Sequence, residues 1–387
     1  VNLIYLLIEF LDELVFGLTG ASWPLIRTDL VLNYLQIGLA LSLPGILGNM
    51  LEPILGILGD VWRRRVLILG GGVFFALACF LTAVSRNFLF LLISFVVFFP
   101  ASGAFVSLTQ ATLMDAAPAR HEQNMARWTF AGSLGVFCGP VLLGGAVLLG
   151  LGWRGGFTAV ALLAALMVAA AWRVLPTLPV KLLPGSRRAD LWAGILAALK
   201  ALRKRAVLRW LVLLEFSDLM LDGLYGYLAL YFVDVAGFSA AQAALAVAAW
   251  TGCGLLGDFL LIPLLEKVRG LNYLRLSVIA ELVLFPVFLL VPYPWLKLAV
   301  AGLLGLFNSG WYAILQGNLY TSMPGQSGTV MALNDVAGIF GKLVPLGIGL
   351  LAQRFGLQVA MWVLLAGPLA LLVGLPKRYE LSTDPQE

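Results

Sequence analysis

Two clusters of acids stand inside stretches that are otherwise apolar. Glu9, Asp12 and Glu13 are spaced i, i+3 and i+4, and Glu215, Asp218 and Asp222 are spaced i, i+3 and i+7. On a helix each trio occupies one face. Glu52, Asp258, Glu281 and Asp335 also fall within apolar runs, making ten such carboxylates against a single basic residue away from the ends of the runs, Lys342. An ionised side chain at the centre of a bilayer costs about 2.5 to 3.5 kcal/mol even on the lenient insertion scale, so ten of them are no accident. Clustering and removal from water both favour the protonated carboxyl, which lets such acids carry protons near neutral pH, and a cation entering the cluster would displace them. Lys342 follows Asp335 by seven residues, and its expected partner is Asp335 itself or a carboxylate of the Glu215 cluster. Glu52 shares a helical face with Gly45, Gly48, Asn49 and Gly56, where bonding to a neighbouring helix competes with a binding role.

Enzyme chemistry has no comparable support. The sequence offers no nucleophile with a placed base, no metal-ligand cluster and no phosphate loop, so no catalytic residue, metal or cofactor is expected. Cys79, Cys138 and Cys253 are odd in number, lie in apolar stretches and read as small packing residues. His121, the single histidine, sits in a charged loop.

The elements that must position these acids are membrane spans. Hydrophobic residues make up 61% of the 387 positions and charged residues 12%, against about 25% charged in an ordinary soluble domain. The apolar residues gather into runs of about twenty, each long enough to cross a bilayer as a helix. The expected spans are 3–24, 34–58, 66–84, 88–113, 126–150, 154–174, 207–232, 240–264, 271–291, 295–320, 329–351 and 357–375. The first carries Glu9, Asp12 and Glu13 and lacks a basic start, so it reads as a mature span and not as a cleavable signal.

Twelve spans put both termini on one side. The loops after even-numbered spans and the C-terminus hold 19 Lys/Arg, from Arg63 to Arg378, while the opposite side holds five, namely Arg27, Arg86, Arg154, Lys297 and Arg354. By the positive-inside rule the even loops and both termini are cytoplasmic, in a cell membrane. The same asymmetry accounts for the net charge of +5 without nucleic acid.

Sliding the chain against itself by 206 residues reveals an internal repeat. Glu9 meets Glu215, Asp12 meets Asp218, Gly17 meets Gly223, Gln36 meets Gln242, Glu52 meets Asp258 and Gly135 meets Gly341. Six spans per repeat make the halves parallel, related by an axis along the membrane normal, with a transport path between them. The expectation is an all-α membrane protein of twelve transmembrane helices in two pseudo-symmetric six-helix bundles. The bundles cover residues 1–175 and 207–376, and 377–387 form a cytoplasmic tail. Between the bundles, 176–206 form a linker whose Leu191, Trp192, Ile195, Leu199 and Leu202, beside Lys200, Arg203 and Lys204, suit an interfacial amphipathic helix.

The segment Gly56-Ile-Leu-Gly-Asp60-Val-Trp-Arg63-Arg64-Arg65 resembles the signature loop of the major facilitator superfamily, with Val61 and Arg63 departing from its usual Arg and Gly. Glu266-Lys267-Val268-Arg269-Gly270 is its degenerate second copy. The resemblance implies a cytoplasmic latch in which Asp60, Arg64 and Arg65 work with Asp115, and Glu266 with Arg269 in the second half. Gly135-Val-Phe-Cys-Gly139-Pro140-Val-Leu-Leu-Gly144-Gly145 is similar to the Gly-x-x-x-Gly-Pro-x-x-Gly-Gly motif of proton-coupled antiporters, with one extra residue before the last glycines. It implies that Gly139 and Pro140 act in gating. The span 4 arginine common in those antiporters is absent, since the stretch reads Phe99-Pro100-Ala101-Ser102-Gly103.

In that family spans 1, 4, 7 and 10 line the cavity, so the acid trios are expected to oppose each other across it, joined by Tyr225 and Trp311 as aromatic contacts for an organic cation. The function implied is secondary active transport by alternating access: proton-coupled export of a cationic or lipophilic organic compound by a monomer. Its partners are a small-molecule substrate, protons and membrane lipids. A metal-ion or polyamine exporter and a lipid or sugar carrier are the alternatives.

Overall fold

A computed structural model describes residues 2–61, 63–116, 121–175, 203–323 and 327–376. Among these residues there is no strand, and the chain runs as twelve helical rods. A bilayer has no water to satisfy backbone N–H and C=O groups, so a chain this apolar closes its hydrogen bonds within each segment. The rods are α1 (Asn2–Leu30), α2 (Tyr34–Val61), α3 (Arg64–Val84), α4 (Phe88–Ser102, Gly103–Ser107 and Leu108–Ala116), α5 (His121–Leu148) and α6 (Gly152–Val174). The second set is α7 (Arg205–Asp218, Leu219–Gly223 and Leu224–Asp234), α8 (Ala240–Leu265), α9 (Gly270–Leu290), α10 (Pro294–Asn308 and Trp311–Thr321), α11 (Ser327–Gly341 and Val344–Phe355) and α12 (Leu357–Met361, Trp362–Leu365 and Ala366–Gly374).

Ten of the twelve are long and apolar enough to cross a membrane. The other two, α1 and α7, are those that carry the acid trios. Helix α1 departs most from its expected limits. It absorbs Pro24 and continues to Leu30, because a helix does not stop where its apolar run stops, and Arg27 and Asp29 ride its last turn toward water.

The repeat is visible in local chemistry. Helix α2 begins with a reciprocal pair in which the Asn33 N–H donates to Gln36 Oε1 at 3.0 Å and the Gln36 N–H donates to Asn33 Oδ1 at 2.8 Å. Helix α8 begins the same way 206 residues later, with Ser239 and Gln242. Interruptions recur too. The π-turn Gly103–Ser107 of α4 and the break at Ser309–Gly310 in α10 occupy equivalent positions. Glu52 lies against Gly103, while its repeat mate Asp258 accepts the Gly310 N–H at 3.0 Å.

Packing follows the same two-fold operation. Helix α3 packs on α6 as α9 packs on α12, and α2 packs on α4 as α8 packs on α10. Across the halves, α2 meets α11 and α5 meets α8, a pair of contacts that the operation exchanges. Within the first half α1 and α5 approach so closely that a Cβ at Gly17 or Gly139 would overlap the backbone of the other helix.

Several sequence expectations fall outside the described residues: the side chains of Asp60, Asp115 and Asp335, the linker through residue 202, and the tail 377–387.

Candidate functional site

Between the halves lies a cavity of about 150 Å³. Phe16 and Trp23 of α1, Phe95, Phe98 and Phe99 of α4, Phe157 of α6 and Tyr225 of α7 wall it, and Asp218, Asp222 and Lys342 supply its charge. Lys342 Nζ meets Asp222 Oδ2 at 3.0 Å, joining α11 to α7, and the two side chains are 34% and 50% exposed. That exposure in the middle of a membrane bundle is to the cavity. Asp222 sits in the π-turn Leu219–Gly223, where the extra residue widens the helix beside the cavity. Tyr225 stacks on Phe16 with ring centroids 4.9 Å apart, and its hydroxyl donates to the Gly17 carbonyl at 3.1 Å. Gly20 leaves the room that the Tyr225 ring occupies. The cavity therefore offers aromatic faces, two acids and one base.

The acids of α1 are placed differently from the expectation that the trios oppose each other across the cavity. Glu9, Asp12 and Glu13 share a helical stripe with Phe16, Gly20 and Trp23, but they lie one to several turns nearer the start of α1 and do not line the cavity. There α4 and α5 close in. Asp12 Oδ1 accepts the Ser102 hydroxyl at 2.7 Å. Glu9 is 8% exposed, and both it and Glu13 pack against Gly132 of α5. Glu215 points at Gly341 of α11 and also lies off the cavity wall.

Trp311 is corrected as well. It is fully buried, and its Nε1 donates to Ser277 Oγ of α9 at 2.8 Å, which turns it into the second bundle and away from the cavity. Of the gating candidates, Arg65 donates to the Trp172 carbonyl at 2.5 Å and so ties α3 to α6 of its own half. Arg64 is half-buried, while Glu266 and Arg269 are exposed. Gly139 and Gly135 press on α1, whereas Gly144 and Gly145 have open space around them.

A cluster that sequence reasoning passed over closes one end of the bundle. Arg27 at the end of α1 pairs with Asp234 at the end of α7. The Tyr34 hydroxyl of α2 donates to the same carboxylate at 2.6 Å, and the Tyr34 N–H donates to Gln353 Oε1 of α11 at 3.1 Å. Nearby, the Tyr227 hydroxyl donates to the Pro345 carbonyl at 2.6 Å, and the Leu346 N–H donates to Ser42 Oγ at 2.9 Å. Four helices from both halves are thus bonded together at the end where α1 leads into α2. One signal was available: Arg27 and Asp234 are opposite charges within one residue of repeat-equivalent positions, and a two-fold axis beside α1 and α7 brings such positions together.

Known proteins agree with this architecture. The crystal structure of the nucleoside transporter NupG superposes with a TM-score of 0.73, at 16% identity, covering 97% of this chain and 98% of that one. A bacterial homolog to the human lysosomal transporter Spinster, in an inward-facing and unoccupied conformation, gives a TM-score of 0.68 at 19% identity, covering 97% and 93%. A curated relative, the probable sugar efflux transporter of Helicobacter acinonychis (strain Sheeba), is 28% identical over 249 residues, 63% of this chain. The chain spans 59% of that relative's length. The sequence profile of the Major Facilitator Superfamily matches residues 5–343. Twelve helical rods, ten of them long and apolar enough to cross a membrane, in two repeat-related halves around a charged central cavity, together with that match, identify the chain as an integral membrane transporter that belongs to the Major Facilitator Superfamily.

Proposed function

We propose that this transporter exports a cationic or lipophilic organic compound in exchange for protons. One observation carries the reading: Asp218, Asp222 and Lys342 lie together in an aromatic-walled cavity between the halves. Two acids against one base leave a net negative charge when all are ionised, and ring faces attract cations and apolar surface alike. Lys342 and Asp222 satisfy each other; an entering cation competes with Lys342, and a proton on either acid competes with the cation. The surplus of basic residues in the loops after even-numbered helices supports cytoplasmic termini in a cell membrane. On that orientation the Arg27–Asp234 cluster closes the outer side. The working units are the bundles 1–175 and 207–376, joined by a lipid-contacting linker, 176–206, and acting as a monomer that rocks about the cavity. The resemblance of the loop after α2 to the family's signature supports Asp60, Arg64 and Asp115 as the opposite, cytoplasmic latch of the outward-facing state.

A second reading is sugar export, which the name of the curated relative favours. Hydroxyls would then bond the Asp222–Lys342 pair while a ring stacks on Tyr225 or Phe16. Uptake into proteoliposomes with an imposed pH gradient decides between them. Accumulation of organic cations driven by the gradient is expected. Gradient-independent counterflow of sugars with no cation uptake would replace the first reading with the second.

A further inference from the structure

Glu281 is a carboxyl that the cavity does not use. It lies in α9 with none of its surface exposed, and neither of its oxygens has a hydrogen-bond partner. Asn308, the last residue before the break in α10, is 3% exposed. Its Nδ2 donates to the Met220 carbonyl at 3.3 Å, while its Oδ1 likewise has no partner. A buried polar atom left without a bond costs about 1 to 3 kcal/mol, and more when it is charged. An isolated buried carboxylate avoids that cost by taking a proton.

The internal repeat places the two residues at about the same level on the packed helices α9 and α10. Glu281 is the counterpart of Phe75, whose ring packs on Phe98 and Phe105 at centroid distances of 4.8 and 5.7 Å. The counterparts of those two rings in α10 are Leu304 and Trp311. Trp311 is bonded to Ser277, one turn of α9 from Glu281, which fixes the register of the two helices. Asn308 stands about one turn from both Leu304 and Trp311, so it shares a level with Glu281. Because a phenyl ring fills the equivalent position in the first half, packing alone does not call for an acid here.

We propose that Glu281 is a proton-binding site of the second half, held as the neutral acid with its O–H donated to Asn308 Oδ1. Through Asn308 the site reaches the Met220 carbonyl, which belongs to the π-turn that carries Asp222. Protonation at Glu281 is thereby linked to the backbone that aims a cavity acid. The surrounding titratable groups are committed elsewhere. Asp258 of α8 accepts the Gly310 N–H. The Tyr273 hydroxyl, within electrostatic reach of Asp258 and Glu281, bonds Ser309. Arg275 bonds the Pro376 carbonyl, and Lys297 bonds the Tyr231 hydroxyl and the Phe288 and Leu289 carbonyls. Tyr312 and Tyr320, the remaining titratable groups of α10, are exposed, and the described residues of α12 include no titratable side chain.

Infrared spectroscopy of the full-length protein in lipid nanodiscs tests this without any substrate, so the result stands apart from the reading of the cavity. A protonated-carboxyl band present at neutral pH should be lost completely in E281Q, and also in E281F, which copies the repeat mate and guards against a folding artefact. In N308L the band should move to the position of an unbonded acid. Equal bands in wild type and both Glu281 variants would show an ionised carboxylate and overturn the proposal. So would a band that appears only when sodium is replaced by choline, since Glu281 would then hold a metal cation. An unmoved band in N308L would overturn the pairing.

Discussion

Arg27 and Asp234 form an ion pair across the two halves although 207 residues separate them in sequence. The pair joins the ends of α1 and α7, the two helices that the internal repeat relates most directly. Arg27 also lies over the Tyr34 ring at 4.3 Å, and Tyr34 shares the Asp234 carboxylate, so one acid holds three helices. Any motion that separates the halves at this end must break these bonds first.

Weakening this latch should therefore favour the conformation open at the α1–α2 end. The pair is about a quarter exposed on each side, so its worth is near the ~1 kcal/mol of partly solvated ion pairs, or about fivefold in population. Spin labels on the ends of α1 and α7 should report a longer distance in R27A and in D234A. The charge-swapped double variant R27D/D234R should return most of the closed population. Identical distance distributions in all variants would remove Arg27 and Asp234 from the gate.

The Asp222–Lys342 pair makes a different prediction, because its members line the cavity in mid-membrane. Removing one partner leaves an unpaired charge in a poorly solvated place, which costs more than losing both. D222N should lower the melting temperature and cut transport by an order of magnitude or more, while D222N/K342Q should melt closer to wild type than D222N does. Equal melting of the single and double variants would mean that the pair contributes no coupling energy.

Placement relative to the cavity separates the effects of two repeat-related acids. Asp218 lines the cavity, whereas Asp12 lies below it and is bonded to Ser102. Cation affinity should fall more in D218N than in D12N. In the wild type it should weaken as pH drops, since a protonated carboxyl no longer attracts a cation, and D218N should flatten that dependence. Calorimetric titration over a range of pH checks both statements; equal losses in the two variants would contradict the placement.

The contact of α1 with α5 separates the glycines of one motif. A Cβ at Gly139 would meet the backbone of Gly17 and Leu18, which cannot rotate aside, whereas Gly145 faces open space. G139A should destabilise the protein by roughly 1 to 3 kcal/mol through overpacking, and G145A should leave the melting curve unchanged. A silent G139A would show that the two helices slide apart easily.

The sequence by itself determined the membrane class, the twelve helices, their division into two parallel halves and the charged character of the interior. These follow from composition and from a constant offset, because a bilayer admits few backbone structures and a repeat imposes its own symmetry. It also determined which stripe of α1 faces inward, since helical periodicity assigns an angle around the axis to every residue. The level along the axis belonged to the tertiary structure. Glu9, Asp12 and Glu13 share their stripe with Phe16 and Trp23, yet the crossing of α5 at Gly132, Gly135 and Gly139 fills the space in front of the acids and leaves the cavity to the rings further along. Trp311 faces α9 as its repeat counterpart Phe105 faces Phe75 of α3, a choice of neighbouring helix that periodicity alone does not make. The Arg27–Asp234 latch and the Lys342–Asp222 pair join residues more than a hundred positions apart. For Lys342 the sequence narrowed the partner to Asp335 or the Glu215 cluster and the packing of α11 on α7 selected Asp222, whereas for Arg27 charge alone admits many partners and only the packing of α1 beside α7 selects Asp234.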